Sequence, residues 1–457
     1  MSTTCGHSST YVDCSRAAEN AGFVRPSPEE RTLAMAKTGR LARGAYLSKE
    51  DAADNEYSFP NQEQGQSFKD WFEMEATQQR NGIISRRNEL YVVRPLSMTR
   101  PSEEMRDWNK PVLPPDSPPG TERWNYTLKM FKQLIVYLRA FYNTMQITQY
   151  PKKISFLPIE QRKRVHFVDT PRTQVIGLKT RDRREPFEIR YRPSPDDVSK
   201  IQLNVSDLRD ALMRSIPSTA HSFVMVVDHD MYEDGEGAYV KGRAWASDGV
   251  AIVYTFRYNP SLDGLAGIDL WHRWPASHCK AYMDERFKVL NKTKGWKKRN
   301  RLSSKAFGKP PVESALGLAI QAAKQAGQPS TREELSNQWF ARVVVAVSRE
   351  ATHCFGLGNC TYYSCLMQGV SGIRQTGEIP PYLCQVCYSK LGWELVLLQH
   401  GFEGGIEREK AWLEAQYAAL KAFCNKWNKI PQFAAFVARL EKRLEDRKGD
   451  NDDATWP

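Results

Sequence analysis

No run of apolar residues in this 457-residue chain approaches the roughly 20 that a membrane span requires. The longest aliphatic stretch is VVVAV at 343–347, so no membrane-spanning helix and no membrane partner are expected. The opening MSTTCGHSSTYVDC has neither a basic start nor an apolar core. No secretory leader is therefore expected, and the setting read from the sequence is intracellular, cytoplasmic or nuclear. No internal repeat is found, which argues against a repeat architecture. Cysteine is sparse over most of the chain, where Cys5, Cys14, Cys279 and Cys424 are scattered. The other five, Cys354, Cys360, Cys365, Cys384 and Cys387, crowd into 34 residues. In an intracellular chain such a cluster argues for metal rather than disulfides.

Apolar residues make up 41% of the chain and aromatics 11%, enough for a sizeable core, while 28 Gly and 26 Pro leave room for loops and tails. The length fits two or three domains, or one domain with long appendages. The net charge of +12 is local: between Arg286 and Lys309 stand ten Lys or Arg and no Asp or Glu. That density fits a nuclear-localisation signal or a nucleic-acid patch, with Trp296 available for stacking, or else a solvated loop.

Residues 1–123 are polar and without sustained helical periodicity beyond short pieces such as 67–80, so they are expected to be largely disordered or extended. They end in a Pro-rich stretch, 111–119, that reads as a linker. Within them ELYVVRPL, at 89–96, is expected at most as an added strand. The folded part is expected over 124–425. Met130, Phe131, Leu134, Ile135, Leu138 and Phe141 recur at helical spacing. Strand-like pieces follow at 153–157 and 173–178, then an amphipathic helix at 205–216 capped by Ser206 or Asp207. A buried strand is predicted at 222–232 and another at 249–258. A helix at 312–327 precedes a longer one at 331–355, with Ser330 and Glu333 as its capping box and Gly356 as its stop. Beyond Cys387 the chain reads as mainly helical, with 426–457 as a last helix and charged tail. The alternation of helix and strand predicts an α/β layer.

The end of the long helix carries the chemistry. Residues 348–367 read SREATHCFGLGNCTYYSCLM. On a helix, residues four apart share a face, so histidines at i and i+4 can grip one Zn²⁺ while an intervening Glu activates water. Here those three places hold Arg349, Glu350 and His353, and the place of a third ligand, after a glycine turn, holds Asn359. Arginine offers no lone pair and repels a cation, so the Arg349 guanidinium could stand where the metal would. Asn359 has a neutral amide oxygen, a weak ligand for zinc. His353 is the one strong ligand remaining, although a lone histidine also reads as a hydrogen-bonded core residue. Glu350 is a general base if metal binds, or otherwise an ion-pair partner of Arg349. Cys354 points about 100° away from His353 around the helix. His272, His278 and His400 could substitute only if the fold brings them close. Asp228, His229 and Asp230, at a strand end, read as turn chemistry. Downstream, Cys360-x4-Cys365 and Cys384-x2-Cys387 form two thiolate pairs separated by 18 residues, the pattern of a closed structural zinc site.

The stretch resembles the archaemetzincins, metzincin peptidases whose signature runs HExxHxxGxxHCxxxxCxM and then, after a loop, CxxC. The chain matches at Glu350, His353, Gly356, Cys360, Cys365, Met367, Cys384 and Cys387. Asp230-Met231-Tyr232 resembles the family's Asp-Leu-Tyr element, and 238–258 resembles its hairpin and edge strand. The resemblance implies a metzincin-like α/β zincin fold: a twisted mixed sheet, a long motif helix, a four-cysteine zinc subdomain at 360–387 and C-terminal helices. The basic run 286–309 would be an insertion, and Met367 the methionine of the turn beneath the metal. An active member would cleave peptide bonds with zinc-bound water and Glu350 as base, its substrate strand lying along the sheet edge near 249–258. The leading expectation is one structural zinc at the four cysteines and a degenerate, inactive peptidase centre at Arg349 and Asn359. The alternatives are an active peptidase with a rewired catalytic zinc, or a pseudopeptidase that binds peptides or proteins and uses the basic insertion for nuclear or nucleic-acid association.

Overall fold

The computed structural model describes residues 5, 7, 9–11, 26–39, 65–74, 87–94, 97–98, 101, 103–113, 127–159, 174–180, 184–235, 237–285, 307–308, 312–370, 372–401 and 405–449. The basic run at 286–309, apart from Phe307–Gly308, lies outside them, as do most of the Pro-rich stretch and the charged tail from 450 onward.

The strands in chain order are β1 (Thr10–Tyr11), β2 (Glu89–Val93), β3 (Ser97–Met98), β4 (Gln146–Gln149), β5 (Ile154–Leu157), β6 (Gln174–Thr180), β7 (Phe187–Pro193), β8 (Ile201–Asn204), β9 (Ala220–Val227), β10 (Asp230–Tyr232), β11 (Gly242–Trp245), β12 (Val250–Tyr254) and β13 (Phe307–Gly308). Among the described residues they form a five-stranded sheet, β11-β12-β9-β2-β4, a six-stranded sheet, β10-β8-β7-β6-β5-β3, and a two-stranded antiparallel pair, β1-β13. In the first, only β11 runs antiparallel to its neighbour; β12, β9, β2 and β4 are parallel. This explains the composition of β9, AHSFVMVV, which is buried at every position. An interior parallel strand is covered on both faces and needs no polar alternation. The chain is an α/β protein with two mixed sheets. Among the described residues no helix is long and apolar enough to cross a membrane.

Several elements differ from their sequence-based expectations. Glu89–Val93 is no addition at the side but an interior strand between β9 and β4. The stretch 222–232 is two strands, because the backbone leaves one sheet at Val227 and enters the other at Asp230. The stretch 249–258 ends as a strand at Tyr254 and continues as a 3-10 turn, Phe256–Tyr258. Its strand is interior, and the edge belongs to Gly242–Trp245. The helix Val205–Met213 is capped by Asn204, whose side chain accepts from the Asp207 amide, rather than by Ser206 or Asp207. The long helix, Arg332–His353, carries its capping box at Thr331 and Glu334, one residue later than the predicted pair.

The crossing between the sheets is held by charge. Asp230 is fully buried and accepts from Arg257 Nε at 2.9 Å and Nη2 at 2.6 Å, and also from Ser199 and Gln202. The same guanidinium donates to Asp196 at 2.6 and 3.0 Å and lies 3.9 Å from the centre of the Tyr239 ring. Arg257 thus joins the turn after β12 to the first strand of the second sheet.

Candidate functional site

The motif helix, Arg332–His353, packs against β9, β11 and β12 and against the helix Leu128–Phe141. Its apolar side carries Trp339, Phe340, Val343, Val344, Val347 and Ala351 into the core. Polar anchors fix its rotation. Trp339 Nε1 donates to the Thr255 carbonyl at 2.8 Å, Arg342 forms a two-pronged pair with Asp263, and the Tyr142 hydroxyl donates to the Ser348 carbonyl at 2.7 Å. With the helix so held, Arg349, Glu350 and His353 face a cavity of about 500 Å³. Gly356 adopts φ +79°, a left-handed conformation that costs a glycine little, and the chain reverses there to carry Asn359 back to the same cavity.

Within the cavity Arg349 connects Glu350 and Asn359. Its Nη1 donates to Glu350 Oε1 at 2.9 Å and its Nη2 donates to Asn359 Oδ1 at 2.8 Å. The Nη2 also approaches the Gln368 carbonyl at 3.4 Å. His353 Nδ1 lies 2.7 Å from the Leu357 carbonyl, which can only accept, so Nδ1 carries the proton and Nε2 is the basic nitrogen. That tautomer suits a ligand, but its neighbours do not fit a zinc ion. Where a tripod would offer three lone pairs, this chain offers one imidazole, one amide oxygen already engaged and one cation. Among the described residues no group of three metal-capable side chains includes His353. His400 is exposed at the end of its helix, His278 is buried beside Ser277, and His272 belongs to a different cluster. Cys354 is buried with its thiol toward the Glu350 carbonyl.

The edge strand β11 forms the wall facing these residues. A Cβ on Gly242 would meet Glu350 Cγ at 3.0 Å, so the absence of a side chain there lets strand and helix approach closely. Beside it, half-buried Lys241 donates to the Val370 carbonyl at 2.9 Å. Burial, reinforced by the Arg349 charge and opposed by Glu350, pushes its ammonium down to about 7. Burial and the Glu350 carboxylate push the Tyr258 phenol up. The lowered lysine makes a prediction. Between pH 7 and its ordinary range the unfolded chain binds the extra proton, so this group's contribution to stability rises with pH. Lys241→Met should remove that slope and raise stability at pH 7 by about 1–2 kcal/mol, reduced from full desolvation by partial solvent access. Chemical denaturation at pH 7 and pH 9 measures both effects.

The four cysteines predicted as ligands come together. Cys360, Cys365, Cys384 and Cys387 are buried, with their sulfurs all within 4.8 Å of one another. Cys365 Sγ accepts from the amides of Met367 at 3.4 Å and Cys384 at 3.2 Å. Cys384 caps the helix Gln385–His400 and Cys387 lies in its first turn, where the helix dipole favours negative charge. Hydrogen bonds from Cys365, Cys384 and Cys387 push the Cys360 thiol well below its ordinary range, whereas burial pushes Cys365 and Cys384 up. A bound dication would let all four ionise together, and the donor set fits zinc. Met367, fully buried, follows at the turn and its carbonyl accepts from the Cys360 amide at 2.8 Å.

One group of positioning residues was missed from sequence. Gln66 donates to the Gly356 carbonyl at 3.1 Å and accepts from the Gly358 amide at 3.0 Å, while Trp71 Nε1 donates to the Phe355 carbonyl at 2.9 Å. Together they clamp the turn between His353 and Asn359. The only local signal was the capping pair Ser67 and Asp70 on a short helix, Phe68–Glu73.

No family model matches the chain. Among curated proteins it is similar to archaemetzincin-2 of Macaca fascicularis, 23% identical over 199 residues, and to that of Homo sapiens, 24% identical over 199 residues. Each alignment covers 43% of this chain and 43% of the relative, so the match spans less than half of the curated proteins' length. The crystal structure of an archaemetzincin from Methanopyrus kandleri matches over 70% of this chain and 97% of that one, at 12% identity and a TM-score of 0.30. The chain is a distant relative of the archaemetzincins.

Proposed function

We propose that this chain retains the archaemetzincin framework, with zinc at its four-cysteine centre as a structural metal, and binds peptides in the old cleft without hydrolysing them. The observation that carries this reading is the Arg349 guanidinium, which bridges Glu350 and Asn359. The ion pair neutralises the carboxylate that would serve as base, and it sets a fixed cation among the positions that would hold a metal. The cleft runs along β11, which among the described residues is an edge strand whose outer side can accept an extended peptide as a further strand. Lys241 and Arg349 favour an acidic side chain or a terminal carboxylate near the motif helix.

Restoring the ligands tests this. The double variant Arg349→His/Asn359→His should gain one zinc equivalent over the parent and acquire peptide cleavage that Glu350→Gln abolishes. The parent should cleave none of the same peptides. Cleavage by the parent that disappears with Glu350→Gln would sink the reading.

A further inference from the structure

A second metal-capable cluster lies outside the motif and outside the four-cysteine centre. Cys5, His7, His272 and Cys279, scattered in sequence, place one ligand atom each within 4.8 Å of all the others. We propose that these two cysteines and two histidines form a tetrahedral zinc site that clips the N-terminal segment onto the folded body.

The separations suit a metal better than a disulfide. Cys5 Sγ and Cys279 Sγ are 3.4 Å apart, close to the 3.5 Å between Cys360 and Cys384 in the four-cysteine centre. A disulfide would require about 2.05 Å, whereas two thiolates bound to one zinc at about 2.3 Å stand nearly 4 Å apart. The imidazoles are oriented as ligands. His272 Nδ1 bonds Asp269 Oδ2 at 2.7 Å, the carboxylate–histidine arrangement that fixes the other nitrogen as a donor to metal. Among the described residues, that nitrogen, His272 Nε2, is buried without a hydrogen-bond partner, and so is His7 Nδ1. Beside the two thiols these ring nitrogens complete a set of two nitrogens and two sulfurs, the donor set of one Zn²⁺.

The surrounding structure holds the ligands in place. The His272 ring stacks on Tyr282 with centroids 4.5 Å apart. The Lys280 amide donates to the Ser9 carbonyl at 2.9 Å, and Thr10 bridges Cys279. His7 has φ +47°, a left-handed conformation that a histidine adopts at some cost and that metal ligation would compensate. The pairs Cys5-x-His7 and His272-x6-Cys279 do not follow zinc-finger spacing, so each pair is silent alone. Cys5 and His7 also line the cavity that holds Arg349, so the clip would make the N-terminal segment part of the cleft wall.

The test is zinc per chain on the 457-residue chain purified without chelator, with disulfide mapping by mass spectrometry. Two zincs are expected in the parent. The Cys5→Ser/His7→Ala variant should lose one of them and keep its far-ultraviolet circular dichroism, since neither residue belongs to a helix or to the two large sheets. His272→Ala should lose the same equivalent, and His353→Ala should lose none. Cobalt substitution should add the absorption of a mixed sulfur–nitrogen tetrahedral site, absent in Cys5→Ser/His7→Ala. A single zinc in the parent, a second zinc that survives Cys5→Ser/His7→Ala, or a Cys5–Cys279 disulfide in the native protein would overturn the proposal.

Discussion

Replacing Cys384 with serine should remove the zinc proposed for the four-cysteine centre and destabilise the protein by on the order of 5 kcal/mol or more, since structural zinc sites contribute apparent binding free energies of about 10–16 kcal/mol. Three consequences of the geometry combine. The remaining sulfurs of Cys360, Cys365 and Cys387 stay buried, with burial pushing Cys365 up. The backbone amides of Met367 and residue 384 donate to Cys365 Sγ, which without a dication is a neutral thiol and a weaker acceptor. The helix Gln385–His400 loses the tie at its start that seats Leu391, Leu395 and Val396 in the core. Thermal unfolding with and without chelator reads the effect. A melting temperature unchanged by Cys384→Ser would mean that the cluster is only a packed group of thiols.

The second large effect is expected at Arg257. Arg257→Ala leaves Asp230 fully buried without its cation, and breaking such a pair costs about 3–5 kcal/mol. Asp196 supplies a pH signature. Burial alone would push its carboxyl up, but hydrogen bonds from Arg257 and Ser194 bring it down to about 2. Because the folded value lies below the unfolded one, its contribution is complete above the ordinary aspartate range and fades as pH falls toward 2. In Arg257→Ala that acid-labile part should shrink. Denaturation midpoints at pH 7 and pH 3 for the parent and variant would measure both. Replacing the pair together, with Arg257→Met/Asp230→Leu, should cost less than Arg257→Ala alone. Equal stability of Arg257→Ala and parent would rule out the network as the link between the sheets.

The local parts of this architecture were legible because local chemistry writes them into the chain. The apolar stripe of the long helix, the Gly356 stop and the two thiolate pairs carry their own spacing, and the four thiols do converge. Predicted boundaries slipped by a residue or two where several cap formers stand together, as at Ser330, Thr331, Glu333 and Glu334. What could not be read was set by distant pairing. Nothing in ELYVV announces whether its neighbours are one strand or two, so an interior strand passed for an addition. The Cys5, His7, His272 and Cys279 cluster was invisible for the same reason, its members meeting only through tertiary contact. The fate of Arg349 was half legible: its lack of a lone pair follows from the residue type, but its grip on Asn359 required coordinates.

The interior place of β2 bears on how this molecule reaches its native state. Its two neighbours arrive later in the chain, one of them after every strand of the six-stranded sheet except β10 has been laid down. Early in synthesis β2 therefore waits with both backbone edges unsatisfied, and pairings so remote in sequence are slow to form. A chain truncated to begin at 124 would carry the entire motif and yet lack the strand that separates β4 from β9. Its sheet would expose two parallel edges, and aggregation rather than a smaller working domain is the expected fate.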